Sequence, residues 1–218
     1  MAKPYPSELV RNVTLRDGTR VVVRPIRPAD RQIEREFVQR LSDESKYFRF
    51  MGALRELNEA MLNRFTQIDY DREMALIAVV CENGLETEIG VARYVVNADG
   101  TSCEFAVAVA DAWQNHGVGS NLILSLVEVA RARGLQIMEG VVLAGNHKML
   151  GLMHALGFNI RSQPGDASVK HVSKQLGAFP DASNIDLSLI HNSELDQPSP
   201  SPSGIPWRSP EYPFRGLG

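Results

Sequence analysis

Two glycines separated by a single residue lie between a short apolar run and a strongly amphipathic segment, and this arrangement limits the folds open to the chain. Gly117 and Gly119 follow the apolar run 102–110 and precede residues 120–134, whose apolar side chains recur three and four positions apart. The pattern predicts a strand, a tight turn and a helix. A helix that begins in such a turn presents unpaired main-chain N–H groups at the positive end of its dipole. The turn is therefore either an anion site or a close-packed connection that needs small residues.

The residues around the two glycines narrow the choice of anion. The run Gly117-Val118-Gly119-Ser120-Asn121-Leu122 lacks the third glycine of a dinucleotide-binding fingerprint, and the chain contains no Gly-Lys-Ser or Gly-Lys-Thr. NAD and nucleoside triphosphates therefore fit poorly. The pyrophosphate of some other cofactor remains.

Composition excludes several classes of protein. The 218 residues are 44% hydrophobic, which is enough for one sizeable core, and a net charge of -3 argues against bulk binding to nucleic acid or to an anionic membrane. The N-terminal residues contain no apolar core of the signal-peptide type, and no apolar run approaches the length of a membrane span, so we expect a cytoplasmic protein. Cys81 and Cys103 lie in apolar runs without a Cys-x-x-Cys spacing, which predicts buried, reduced thiols and no metal site.

The pattern along the chain predicts three parts. Residues 1–12 are expected to be flexible, residues 13–179 to form the folded domain, and residues 180–218 to be a disordered tail rich in proline and serine. Seven of the twelve prolines fall in this tail, which could be inert or could be a polyproline ligand for a partner. The strands and helices predicted from periodicity are, in order, strand 19–26, helix 29–41, a segment capped by Ser42, helix 58–68, strands 73–81, 86–96 and 102–110, helix 120–133, strand 136–143, helix 146–156 and strand 168–176.

The run Gln114-Asn115-His116-Gly117-Val118-Gly119 resembles the Q/R-x-x-G-x-G/A coenzyme A signature of the GNAT N-acetyltransferase superfamily. The order of predicted elements over residues 19–176, ending in Leu156-Gly157-Phe158, is similar to that family as well. Within the family, "SDESKYFRFMG", "TQIDYDREMALIAV" and "CEFAVAVADAWQ" are most similar to the acetyltransferase domain of bacterial protein lysine acetyltransferases.

The resemblance implies an α+β (mixed α/β) fold, with a mostly antiparallel central sheet, helices on both faces and a splayed strand pair that holds acyl-CoA. It implies acetyl-CoA as co-substrate and an amine as acceptor, either a protein lysine or a small molecule; whether the protein forms a homodimer is left open. The residues expected to bind the cofactor are Val107, Val109, Gln114, Asn115, His116, Gly117, Val118, Gly119, Ser120 and Asn146. The adenosine 3′-phosphate could be contacted by Lys148, Arg131 or Arg133. The alternative is that each of these side chains is simply a solvated charge on a helix.

Glu104 is the candidate general base. A lysine amine is almost wholly protonated at neutral pH and attacks a thioester only after losing a proton. Glu104 is a lone carboxylate in an apolar strand, where burial would raise its pKa toward neutrality, and it matches the position of the catalytic glutamate in the lysine acetyltransferases that the sequence resembles. The alternative is that Glu104 lies at the end of the strand, faces solvent and has no catalytic role.

Met153 occupies the position at which many GNAT enzymes carry a tyrosine that protonates the leaving thiolate. His154 or Tyr94 could replace that tyrosine, or the thiolate could leave unassisted. Three functions remain open: a protein lysine acetyltransferase, a small-amine acetyltransferase whose acceptor pocket is formed by residues 42–70, and an acyl-CoA sensor that does not catalyse.

Overall fold

The computed structural model describes residues 3–177 except 53, 55 and 83. Within this part of the chain, eight strands form a single sheet in the order β1-β2-β3-β4-β5-β6-β8-β7. The strands are β1 (Arg11–Thr14), β2 (Arg20–Pro25), β3 (Glu73–Glu82), β4 (Leu85–Val96), β5 (Ser102–Val109), β6 (Ile137–Leu143), β7 (Asn159–Gln163) and β8 (Asp166–Gln175). The helices are α1 (Arg31–Arg40), α2 (Asp43–Phe50), α3 (Glu59–Thr66), α4 (Val118–Ala132) and α5 (His147–Ala155).

The sheet is antiparallel except between β5 and β6, which α4 connects as a β-α-β crossover. The central strand β4 is buried over residues 88–94, since α1 and α4 both pack on it. A strand covered on both faces is expected to carry a continuous apolar run rather than an alternating one. The predicted α+β class with a mostly antiparallel sheet is confirmed.

Three helices begin with the side-chain caps that their sequences suggest. The side chains of Ser42, Asn58 and Asn146 each accept a hydrogen bond from the main-chain N–H group three residues later, at the start of α2, α3 and α5. These caps satisfy donors that a helix leaves unpaired at its first turn. The caps predicted at Ser42 and Asn146 are therefore confirmed.

Strands β5 and β6 pair over only three positions and then separate. The last pair in register is Glu104 with Glu139. One position further along, Gly140 allows a close approach, because a Cβ atom there would lie 3.1 Å from the Phe105 carbonyl oxygen and 3.1 Å from the Phe105 ring. The gap between the separated strands opens the central sheet to ligands.

Several predictions differ from the structure. Strand β1 begins at Arg11, inside the segment predicted to be flexible, and the Tyr5 hydroxyl donates a hydrogen bond to the Pro25 carbonyl oxygen. Strands β1 and β7 were not predicted. Cys103 is buried as expected, but the prediction for Cys81 was wrong, because this residue is exposed near the end of β3.

Two parts of the predicted organisation cannot be compared with the structure. The proposed tail 180–218 and the turn residue Asn83 lie outside the described residues. Across the described part of the chain, no helix is both long enough and apolar enough to cross a membrane.

Candidate active site

A cleft of about 720 Å³ opens at the gap between β5 and β6. Its wall includes predicted cofactor-binding residues from three segments that are distant in sequence: Val107, Val109, Gln114, Asn115, Gly117, Gly119, Ser120 and Asn146. The candidate base Glu104 lies in the same wall. The fold therefore brings the glycine turn, the open edge of β5 and the start of α5 to one site.

The glycine turn combines both roles that its sequence suggested. Gly117 caps α4 with a left-handed backbone (φ 89°), a conformation that residues with a Cβ atom adopt at a cost, and the first turn of α4 carries no acidic side chain. At Gly119, an added Cβ atom would lie 3.3 Å from the Leu152 side chain. Gly119 thus packs closely against the Leu152 side chain, while the N–H groups that follow Gly117 form the positive end of α4 beside the cleft.

Two predicted cofactor-binding side chains do not line the cleft. Val118 is buried in the hydrophobic core, so only its main chain could contact a ligand. The His116 ring lies outside the wall, and its Nδ1 atom is 2.8 Å from the Gln114 carbonyl oxygen. Their neighbours in the sequence do face the cleft, because the direction of side chains changes rapidly in a tight turn.

The main chain of β5 offers hydrogen-bonding groups to the gap. Main-chain groups alternate in direction along a strand, and the Ala110 N–H group donates to the Ile89 carbonyl oxygen toward β4. The main-chain groups of Val107 and Val109 therefore point the other way, toward the position that β6 has left. The Gln114 side chain donates to the Val109 carbonyl oxygen at 3.3 Å, which ties the signature segment to this edge.

Glu104 is half-buried at the base of the gap. Burial is the main reason that its pKa rises to about 7, and the negative charge of Glu139 adds to the effect. The positive charges of His171 and Arg49 oppose that rise. Glu104 can therefore both hold and release a proton near neutral pH, as a general base must.

The positive charges near the cleft come partly from residues that the sequence did not single out. Lys148 lines the wall and donates to the Gln114 side-chain oxygen at 3.0 Å, and Arg16 lines it from the turn between β1 and β2. Arg131 and Arg133 instead lie at the opposite end of α4, where they bond to the Leu176 carbonyl oxygen and the Tyr94 hydroxyl. Arg16 was missed because the hairpin that carries it was not predicted.

The alternatives for a general acid lie away from the cleft wall. Met153 is fully buried, and His154 is exposed and is not among the residues that line the cleft. Tyr94 is buried, which raises its pKa to about 12, and its hydroxyl accepts a hydrogen bond from Arg133. Neither His154 nor Tyr94 is placed to protonate a thiolate in the cleft.

Helix α2 forms part of the cleft wall. Only the first part of the predicted acceptor region lines the cleft, namely Glu44, Ser45, Phe48, Arg49, Phe50 and Met51. Asp111, just after β5, anchors this helix: its carboxylate accepts hydrogen bonds from the Ser42 N–H group and from the hydroxyls of Ser42 and Ser45. This part of the cleft wall is thereby attached to the end of β5.

Comparison with known proteins agrees with this geometry. A family model described as the acetyltransferase (GNAT) family matches residues 36–158. The chain is 39% identical over 155 residues to the acetyltransferase PA5475 of Pseudomonas aeruginosa, a match that covers 71% of this chain and 83% of that protein.

Two further similarities involve proteins named Pat. The chain is 31% identical over 146 residues to the acetyltransferase Pat of Mycolicibacterium smegmatis, covering 66% of this chain but only 43% of that protein, so it spans less than half of that relative. The crystal structure of the GNAT domain of S. lividans PAT matches with a TM-score of 0.72 at 30% identity, covering 79% of this chain and 99% of that domain. The chain belongs to the GNAT family of acetyltransferases and is a GNAT-type N-acetyltransferase.

Proposed function

We propose that the protein transfers the acetyl group of acetyl-CoA to a protein lysine, with Glu104 as the general base. The observation that carries this proposal is the position of Glu104: a half-buried carboxyl with a pKa near 7, in the wall of the cleft and at the point where β5 and β6 separate. The lysine acceptor is supported by the resemblance to bacterial protein lysine acetyltransferases and by the similarity to the two Pat proteins.

The cleft has the chemistry that acetyl-CoA requires of a binding site. The main-chain N–H groups of residues 115–120 would hold the pyrophosphate at the start of α4. The open edge of β5 at Val107 and Val109 would pair with the pantetheine amides as an added strand would. Asn146 lines the cleft while it caps α5, and Lys148 and Arg16 would contribute positive charge to the phosphates.

The reaction needs one proton acceptor and one oxyanion donor. The amine nitrogen forms a bond to the acetyl carbonyl carbon, the carbon–sulfur bond breaks, and coenzyme A leaves as the thiolate. The nitrogen gives up its proton to Glu104, directly or through a water molecule. The main-chain N–H group of Val109 is the proposed donor to the oxyanion. Met153 has no proton to donate, and neither His154 nor Tyr94 lines the cleft. The thiolate therefore leaves without a general acid.

Replacement of Glu104 by Gln tests the proposal, because Gln keeps the shape of the side chain and removes its basicity. Acetyl transfer to lysine peptides should fall by about 10²–10⁴-fold at neutral pH, with nearly unchanged acetyl-CoA affinity by calorimetry. Wild-type kcat/KM should rise as pH passes through about 7, because Glu104 loses its proton there. The difference in transfer rate between wild type and Glu104→Gln should become smaller at higher pH, where more of the amine is already unprotonated.

Glu128→Gln, which removes an exposed carboxylate from α4, is the matched control and should retain the wild-type profile. Overlapping pH profiles for wild type and Glu104→Gln would remove Glu104 from the mechanism. Acetyl-CoA binding without transfer to lysine peptides or to small primary amines would instead identify a sensor. Transfer to small amines alone would contradict the lysine acceptor.

A further inference from the structure

A second carboxyl group, from Glu139, lies beside Glu104. The two residues are register partners in the parallel pair β5 and β6, so their side chains project from the same face of the sheet on neighbouring strands. Their pair is the last one before the strands separate. The Glu104 carboxyl, in the wall of the cleft, thus has a second carboxyl beside it, and their like charges oppose each other.

Glu139 is held in place from both sides. Its Oε1 atom accepts a hydrogen bond of 2.9 Å from the Asn97 side-chain amide, and its Oε2 atom lies 3.3 Å from the His171 Nε2 atom in β8. The side chains of Glu139 and His171 are 17% and 22% exposed, so bulk water screens their charges only in part. The carboxylate of Glu139 therefore has a fixed position beside Glu104.

Charged groups face Glu104 and Glu139 from each of the neighbouring elements. Arg49 of α2 and His171 of β8 lower the pKa of Glu104, and Glu139 of β6 raises it after burial. Arg161 of β7 is the register partner of His171. Asp99, in the turn after β4, binds Ser102, which also accepts a hydrogen bond from Asn97. Of these groups, Glu139 is the one that pairs directly with Glu104 on the neighbouring strand.

We propose that Glu139 and His171 are a positioning pair for Glu104: Glu139 favours the protonated form of the Glu104 carboxyl, and the charge of His171 limits that effect. The pair would therefore set the pH at which Glu104 becomes a base. The catalytic consequence rests on the proposed function of Glu104. The electrostatic effect itself belongs to the free protein and can be measured without an acceptor amine.

The test is a titration of the Glu104 carboxyl carbon by ¹³C NMR, with the resonance assigned from its loss in Glu104→Gln. In Glu139→Gln, the midpoint should fall by about one pH unit, because the neighbouring negative charge is gone while the amide oxygen can still accept the Asn97 bond. In His171→Gln, the midpoint should rise, because an opposing positive charge is gone. A merely structural role for the pair predicts no such opposite displacement.

Lys170→Gln is the matched control, because Lys170 precedes His171 in β8, projects from the other face and donates to Ser162. In Lys170→Gln, the titration midpoint of the Glu104 carboxyl should equal that of wild type. The proposal is overturned if the midpoint of either Glu139→Gln or His171→Gln stays at the wild-type value or moves in the opposite direction. The acidic limb of kcat/KM for acetyl transfer to a lysine peptide should move with each midpoint. If the midpoints move as expected but the protein transfers no acetyl group, the role of the positioning pair is supported and the proposed function is refuted.

Discussion

Gly117 meets two requirements at once, one from the backbone and one from the site. Its φ of 89° costs about 1–2 kcal/mol for a residue with a Cβ atom. It also lines the cleft where the pyrophosphate is expected to approach the main chain. Only the second requirement concerns ligand binding, so the two can be separated by experiment.

We expect Gly117→Glu to weaken acetyl-CoA binding by about a hundredfold or more, because the new side chain places bulk and negative charge beside the phosphates. Calorimetry measures the affinity. Gly100→Glu is the control: Gly100 also has a positive φ of 72°, and its added Cβ atom would meet nothing within 4 Å. Both variants should lose similar stability, and only the first should lose affinity. Equal affinities would refute the phosphate site at residues 115–120.

The candidate site could be predicted from the sequence where a local pattern carries the signal, either the contiguous motif 114–119 or a single polar residue in an apolar run. Glu104 stands out as a lone carboxylate in an apolar strand, and Glu139 in "QIMEGVVL" carries the same signal, although it was not singled out. The proximity of Glu139 and His171 depends on strand register, which the sequence does not specify for distant strands. Residue patterns therefore indicated the separate groups but not the cluster that they form.

At the scale of elements, the position of α2 depends on one carboxylate. Asp111 accepts three hydrogen bonds from the start of α2, and the Gln114 side chain also contacts Ser45. Burial alone would raise the pKa of Asp111, but the bonds from Ser42 and Ser45 outweigh it and hold the pKa below its ordinary value. These bonds are therefore complete at neutral pH and weaken only in acid, as the carboxylate is protonated.

We expect Asp111→Ala to lower the free energy of unfolding by about 1–2 kcal/mol and to raise the KM for the acceptor more than the Kd for acetyl-CoA. The reason is that α2 belongs to residues 42–70, which the sequence predicts to form the acceptor pocket, whereas the glycine turn is predicted to bind the cofactor. Asp43→Ala removes an exposed carboxylate from the first turn of the same helix and should have little effect on either constant. A larger change in the Kd for acetyl-CoA than in the acceptor KM would contradict this division of the cleft.

Periodicity predicted the elements that bury an apolar face and missed those that do not. The central strands and α1, α3, α4 and α5 carry clear apolar patterns, and their predicted bounds agree with the structure within a few residues. Strand β1 has four residues with no fully buried position, and β7 is an edge strand that is exposed over most of its length. Such strands are held by main-chain pairing, which leaves little trace in the side-chain pattern.

At the scale of the whole molecule, a buried group of charges joins two helices to the sheet. Glu88 of β4 is fully buried beside the carboxyl group of Glu34, and neither of its carboxyl oxygens accepts a hydrogen bond from the described residues. Glu34 of α1 lies 3.5 Å from Arg93 of β4, whose guanidinium also lies over the Phe65 ring of α3. Burial, and then the charge of Glu34, raise the pKa of Glu88 well above its ordinary value, while Arg93 opposes the rise.

This raised pKa predicts that the protein loses stability as pH increases. Between the ordinary pKa of a glutamate and the higher value in the folded protein, the folded chain binds a proton that the unfolded chain releases, at a cost of up to about 1.4 kcal/mol per pH unit. Glu88→Gln resembles the protonated form at every pH and removes this dependence. Its stability relative to wild type, measured by urea unfolding from about pH 5 to 8, should therefore increase steadily with pH.

The comparison isolates Glu88 together with the neighbouring Glu34 carboxyl, because the more distant titrating groups are common to both proteins. Glu104, whose pKa is also raised, contributes equally to the two stability curves and cancels in their difference. Glu36→Gln removes a partly exposed carboxylate of α1 and should give a curve parallel to that of wild type. If the curve for Glu88→Gln is also parallel to wild type, Glu88 is ionised in the folded protein, and Arg93 rather than a bound proton balances its charge.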